Sequence, residues 1–334
     1  MARGLRQDRG DRKTDVSHAA DYYQALRGSE RLDGLDDATW GDLNMHDVFM
    51  SLDRTRSQPG GQFLYKTVRM PVDSRQALEH LEEAVRRFAR DDAVTRQVRE
   101  ALHPLSDPRA VHLVSLLFRA LPRRPKLWWT FPILTSASFL CLGVVYFWPR
   151  AAVVWLAICV VNICVQLFYK ERVRPFIAAY HEIPSLLNVA RAIGKQDVRE
   201  ISTETNSLAK NERDLRLLRR ATSWLVFESG QVNEIVSTVY EYLNLLFLLD
   251  INAFVFGTQA IERSRGQLRE MFDAIGYIDT AQSIATWRDS LSWWANPLLT
   301  GSGKKVKATD LFHPLLARPV SNSIDINDSS VLIT

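Results

Sequence analysis

Residues 127–148 read LWWTFPILTSASFLCLGVVYFW, and residues 151–169 read AAVVWLAICVVNICVQLFY. Neither run holds a charged residue, and only Pro149 and Arg150 stand between them. A helix needs about 20 apolar residues to cross a bilayer, and each run is long enough. The pair is expected to form a transmembrane hairpin with spans at 127–148 and 151–169. The alternative, a buried hairpin in a soluble core, suits paired apolar runs of this length poorly.

Working outward, Arg119, Arg123, Arg124 and Lys126 precede the first run. Lys170, Arg172 and Arg174 follow the second, with Glu171 the one acid among them. By the positive-inside rule both flanks are cytoplasmic and the Pro149-Arg150 tip lies outside. The expectation is a multi-pass membrane protein with both termini cytoplasmic. Trp128, Trp129, Tyr146, Trp148 and Tyr169 sit near the run ends, where interfacial aromatics belong. Asn162 and Gln166 are spaced i, i+4 and share a helix face. No ionisable residue accompanies them, so hydrogen-bonding glue between helices or protomers is favoured over a polar path. Cys141, Cys159 and Cys164 all fall within the runs and read as small packing residues.

The hairpin is invisible in the averages. Mean hydropathy over the 334 residues is −0.13, and 42 basic residues face 38 acidic ones. Residues 1–126 carry 22 Lys/Arg against 19 Asp/Glu, and residues 170–334 carry 19 of each. Neither segment has the basic surplus of a domain that binds nucleic acid mainly through phosphates. The first 30 residues are charged and have no apolar core, so no secretory signal is expected in them.

Residues 1–35 alternate Arg and Asp and are expected to be a flexible cytoplasmic tail. Residues 36–126 are expected to be helical. Within 74–102, Leu78, Leu81, Val85 and Phe88 share one face, with Ser74 as N-cap. Asp107-Pro108 opens a further helix. In residues 170–299, 170–195 continue the second span, with kinks expected at Pro175 and Pro184. Residues 196–227 are amphipathic through Leu208, Leu215, Leu218 and Leu225. Residues 231–274 are strongly apolar, but Glu234, Glu241 and Asp250 oppose a third span. An acid at mid-bilayer costs about 2.5–3.5 kcal/mol, so a buried core helix is expected. Residues 300–308 (TGSGKKVKA) read as a flexible basic loop, followed by strands at 322–326 and 331–334.

Chemical motifs are scarce. The sequence contains no HExxH, CxxC or GxSxG pattern, and its seven histidines are scattered. Gly301, Ser302, Gly303, Lys304 and Lys305 miss the GxxxxGK[ST] spacing of a phosphate loop. No constellation supports catalysis.

Three stretches carry a resemblance. Residues 52–72 read LDRTRSQPGGQFLYKTVRMPV, in which Leu52, Asp53, Thr55, Ser57, Gly60, Leu64, Val68 and Pro71 fall in step with one family's core pattern. Residues 271–287 read MFDAIGYIDTAQSIATW, where Ile278, Asp279, Ser283 and Ala285 match that family's segment at the base of its returning lever helix. Residues 312–334 look like the family's first ATPase-domain strands through His313, Pro314, Leu315, Leu316, Asn322 and the terminal Leu332, Ile333 and Thr334. Together they resemble MutS-family DNA mismatch repair proteins, in particular their membrane-bound relatives.

The resemblance implies a mainly α fold. It comprises a core-like helical region over 36–126, a transmembrane hairpin over 127–169, lever and core helices over 170–299, and partial ATPase-domain strands over 300–334. It implies double-stranded DNA as a partner, a homodimer as assembly, and ATP and Mg as cofactors of full-length relatives. The mismatch-reading Phe-x-Glu is missing, and the sequence is expected to stop just before the phosphate loop, lacking Walker A and B motifs. The expectation is therefore a non-catalytic, membrane-anchored core-and-lever segment. A membrane scaffold without a nucleic-acid role and a truncated, non-functional product are the alternatives.

Overall fold

In the computed structural model, the described residues are 16–28, 34–70, 72, 74–121, 125–196, 198–215, 234–299, 305–313, 315–316 and 318–327. Pro71, Arg123, Arg124, Leu218, Leu225, Pro314, Thr334 and the expected strand at 331–334 lie outside them. The protein is mainly helical, with one small sheet.

Helices α1 (Val16–Ala19) and α2 (Asp21–Arg27) occupy part of the expected tail. That expectation does not hold for residues 16–28. Ala19, Ala20, Tyr22 and Tyr23 are buried. The Tyr22 ring packs edge-on against Phe118 and Phe272, and its hydroxyl donates to Asp273 Oδ1 at 2.6 Å. Two tyrosines supply enough apolar area to anchor a segment whose composition is otherwise polar.

Next come α3 (Asp37–Asp42), α4 (Met45–Leu52), α5 (Gln58–Arg69), α6 (Arg75–Arg90) and α7 (Asp92–Leu102). Ser74 caps α6 by accepting from the Ala77 N–H, and Asp91 caps α7 through Ala93 and Val94. Asp107 accepts from the Arg109 N–H at 2.8 Å. The Asp-Pro start thus opens a 3₁₀ turn (Pro108–His112) that leads into α8 (Leu113–Phe118).

Helix α9 (Thr130–Phe147) and α10 (Ala152–Tyr180) form the hairpin. Two stretches, Thr130–Phe147 and Pro149–Glu171, are long and apolar enough to cross a membrane. Their outer faces are bare: Leu140, Leu156 and Phe168 are each more than half exposed. Helix α10 runs through Pro175 without a break and stops at His181 and Glu182. Pro184 sits in the first turn of α11 (Ile183–Ile193), where its missing N–H has no helical partner to lose.

After α12 (Ser202–Asp214) come α13 (Glu234–Phe247) and the 41-residue α14 (Leu249–Asp289). The single core helix expected over 231–274 is in fact two helices bent by 75° at Leu248. Leu248 adopts a left-handed backbone (φ 53°) without being glycine. Nor is α13 wholly buried, since Val239, Tyr242 and Leu243 face outward.

One core joins both halves of the sequence: Val85, Phe88, Leu102 and Leu113 pack in one cluster with Leu187, Leu268, Phe272 and Ile275. Helix α14 is its axis, lying along α5 and α6 at one end and α10 at the other. A smaller cluster, Trp40, Phe49, Leu64 and Tyr65, surrounds Arg69. The Arg69 guanidinium stacks over Tyr23 and Trp40 and pairs with Asp37.

Strands β1 (Lys305–Leu311) and β2 (Asn322–Asn327) pair antiparallel. The expected strand at 322–326 is β2. The expected basic loop over 300–308 is corrected from residue 305 onward, because the alternation of Lys305, Val306, Lys307 and Ala308 has a strand's period of two.

Candidate functional site

The segments that carry the two internal resemblances meet. Helix α4 ends at Leu52, and a five-residue loop of residues 53–57 leads into α5. Asp53 shapes that loop by accepting from the Thr55 N–H at 3.0 Å and the Thr55 hydroxyl at 2.6 Å. Ser57 is the N-cap of α5 and accepts from the Gly60 N–H at 3.0 Å.

The loop closes on α14. Asp279 is fully buried. Its carboxylate accepts from the Arg56 N–H at 3.0 Å, the Ser57 N–H at 2.8 Å and the Ser57 hydroxyl at 2.6 Å. Ser57 lies 222 residues away in sequence. One helical turn on, Ser283 Oγ accepts from the Arg54 N–H at 2.7 Å and donates to the Leu52 carbonyl at 2.8 Å. Trp287 Nε1 then donates to Ser51 Oγ at 3.2 Å. A charged group in a dry site is tolerable only when such donors replace its water, and here they do.

Two glycines make the approach possible. A Cβ on Gly60 would lie 2.0 Å from Asp279 Oδ2, and one on Gly276 would lie 2.6 Å from Phe63 Cβ. Gly60 is therefore required by the closeness of the carboxylate. Of the matched positions, Thr55, Ser57, Gly60, Asp279 and Ser283 are buried in this junction, with Leu52 and Asp53 half-buried at its edge. Ile278 and Ala285 are buried in the main core and Leu64 in the smaller cluster around Arg69. His313 and Asn322 are not part of it. Both are exposed on or beside the β-hairpin, where His313 Nδ1 accepts from the Leu315 N–H and Asn322 donates to the Val320 carbonyl.

Beside the junction lies an open cleft lined by Arg56, Arg99, Glu100, His103 and Pro104. Arg99 donates to Thr286 on α14 at 3.1 Å. Elsewhere in the body, Glu182 is almost fully buried near Asp107 and Arg109. Desolvation and the Asp107 charge push its carboxyl up to about 7, against the partial opposition of Arg109 and His181. Tyr22, Asp273 and Glu182 carried no motif. The one signal for each was a polar or aromatic residue inside an apolar period.

Among the described residues no group of three His, Cys, Asp or Glu is placed to hold a metal. Most of the described residues of the carboxyl-terminal hairpin are exposed. The Asp279 junction is closed to solvent. It can lock two helices and set the angle of α14, but it cannot touch a substrate. No protein-family model matches the chain, and no curated protein matches it.

Proposed function

We propose that the chain is a membrane-anchored, MutS-related core and lever whose helical body contacts double-stranded DNA from the cytoplasmic side. The observation that carries this reading is the Asp279 junction. The two segments whose residues resemble the MutS core and lever base lie 222 residues apart, and they interlock through the residues that carry the resemblance. An accidental match in each would have no reason to meet the other. The Arg56, Arg99 and His103 cleft next to the junction is the place we assign to a phosphate contact. No catalytic step is assigned to the residues present here.

The test is a gel shift of the detergent-solubilised chain with duplex DNA. Binding at low salt that weakens steeply as salt rises is the expected result. Loss of the shift in Arg56→Ala/Arg99→Ala, with the fold retained, would place the contact in the cleft. No shift at low salt removes DNA from the proposal.

A second reading, a membrane scaffold for protein partners, is favoured by one observation. Several arginines of the body are held by the chain's own acids: Arg69 by Asp37, Arg87 by Asp91, Arg109 by Asp107 and Arg288 by Glu82. Recovery of proteins without DNA in a pull-down from membranes supports this reading over the first.

A further inference from the structure

The bend between α13 and α14 frees backbone carbonyls that a continuous helix would use, and the spans supply the missing donors. Asn162 Nδ2 donates to the Leu246 carbonyl at 2.6 Å, and Thr135 Oγ1 donates to the Phe247 carbonyl at 2.7 Å. Ser138 Oγ reaches the Leu246 carbonyl at 3.4 Å. Asn252, in the first turns of α14, donates back to Thr135 Oγ1 at 2.7 Å. Phe247 stacks flat on Phe139, ring centroids 4.0 Å apart.

These donors fix the depth of the bend. Thr135 and Ser138 stand five and eight residues into α9, which is about 8–12 Å at 1.5 Å per residue. All three donors lie inside the charge-free runs. The acid beside the bend is provided for in the same way. Asp250 accepts from the Tyr240 hydroxyl at 2.8 Å and from Asn244 Nδ2 at 2.5 Å, while its own N–H donates to Asn244 Oδ1 at 2.8 Å. Around the bend, Tyr242, Leu243 and Phe256 present apolar surface outward, on helices that pack directly against α9 and α10. From there α14 runs beside the far end of α10, with Phe254 against Phe176 and Gly257 under the Tyr180 ring. It carries no further charge until Glu262.

We propose that the α13–α14 bend is a third membrane-embedded element, dipping into the leaflet next to the hairpin's charged ends and returning without crossing. Its occupant is lipid hydrocarbon, which covers Tyr242, Leu243 and Phe256. Irregular backbone is tolerated at such depth only where protein satisfies it, which assigns Thr135, Ser138 and Asn162 their role. The far end of α14 is locked to the amino-terminal body through Asp279, so α14 cannot end on the opposite side of the membrane. The proposal rests on the reading of α9 and α10 as spans.

The experiment labels single cysteines with an environment-sensitive fluorophore in the full chain, reconstituted in phosphatidylcholine vesicles, with every other native cysteine among Cys141, Cys159 and Cys164 replaced by alanine. Native Cys164 on α10 is the hydrocarbon reference, and Leu78→Cys is the aqueous one. Leu243→Cys and Phe256→Cys report on the bend. The expected result is loss of fluorescence to doxyl-labelled lipid at 164, 243 and 256, and to aqueous iodide at 78. Lipid quenching at 164 with iodide quenching at 243 and 256 overturns the proposal and leaves the hairpin intact. Iodide quenching at 164 overturns the hairpin and the bend together. Because the cysteine variants could perturb folding, the unmodified chain is also tested with a diazirine-bearing phosphatidylcholine. Adducts within residues 238–256 support the proposal, and adducts confined to α9 and α10 overturn it.

Discussion

Helix α14 is held by a carboxylate near each end, and the two work in opposite surroundings. Asp250 and Asp279 stand about 44 Å apart along the helix at 1.5 Å per residue. The groups that bind Asp279 come from a loop, and those that bind Asp250 come from α13, just before the bend. At Asp279 the donors belong to a loop 222 residues distant, so the carboxylate joins the two halves of the sequence. At Asp250 they come from Asn244 and Tyr240, six and ten residues back, so the carboxylate fixes only a local bend. The long-range work at the bend falls to neutral groups on the spans, among them Asn162, 84 residues away. Where a charge is already dry, it serves to tie distant segments. Where lipid is near, neutral donors take over that task.

The largest expected effect is at the junction. Asp279→Ala strands three buried donors, each costing about 1–3 kcal/mol. The sum is comparable with the roughly 5–15 kcal/mol that holds a typical domain together. A denaturant titration in detergent micelles should show the transition lost or moved to very low denaturant. Asp250→Ala strands fewer groups and should cost about 1–3 kcal/mol. Equal losses at the two positions would break the contrast drawn here.

Glu182 sharpens the comparison as a further acid, buried as Asp279 is but with poorer provision. Arg109 Nε stands 3.8 Å from it, and burial together with the Asp107 charge pushes its carboxyl up to about 7 from the ordinary 4.5. The folded state therefore holds the proton more tightly than the unfolded chain. Stability from this group is greatest below pH 4.5, falls as pH rises towards 7, and is level beyond. Glu182→Gln should remove that decline and gain up to about 3 kcal/mol above pH 7. Stability measured at pH 5 and pH 8 decides it. An unchanged difference between wild type and variant would mean that the proton is not held.

The two ends also differ in how far the sequence reveals them. The hairpin is legible because an uncharged run is a one-dimensional signal. The junction is half legible: residues 52–64 and 278–285 stand out as motifs, but nothing in either says that Gly60 leaves room for Asp279. The bend is least legible. Residues 246–250 contain neither Gly nor Pro, and Asp250 argues against lipid when it is charged the full cost of an unpaired acid. Only the fold shows Asn244 and Tyr240 turned back onto it. The burial of Tyr22 and Tyr23 is hidden similarly, because their partners are far away in sequence: Phe118 and Phe272 for Tyr22, Tyr65 and Arg69 for Tyr23.

At the bend itself, Asn162→Leu keeps the bulk and removes the donor to the Leu246 carbonyl. Hydrogen bonds between membrane helices are worth about 0.6–2 kcal/mol, and a loss in that range is expected from the same titration. A neutral outcome would mean that the carbonyl finds Ser138 instead and that the site is redundant.

The smallest effects make a matched pair. Ser283 and Ser138 each use one hydroxyl against a broken backbone. Ser283 does so at 2.7 and 2.8 Å on two groups, an N–H and a carbonyl, and is fully buried. Ser138 does so at 3.4 Å on one carbonyl that Asn162 already serves. Ser283→Ala leaves the Arg54 N–H without that acceptor and should cost about 1–2 kcal/mol. Ser138→Ala removes a long, redundant contact and should stay within about 0.5 kcal/mol of wild type. Both deletions remove one hydroxyl and open the same small space, so their difference isolates how hard each hydroxyl is working. Reversal of that order would mean that the spans, and not the junction, set the position of α14.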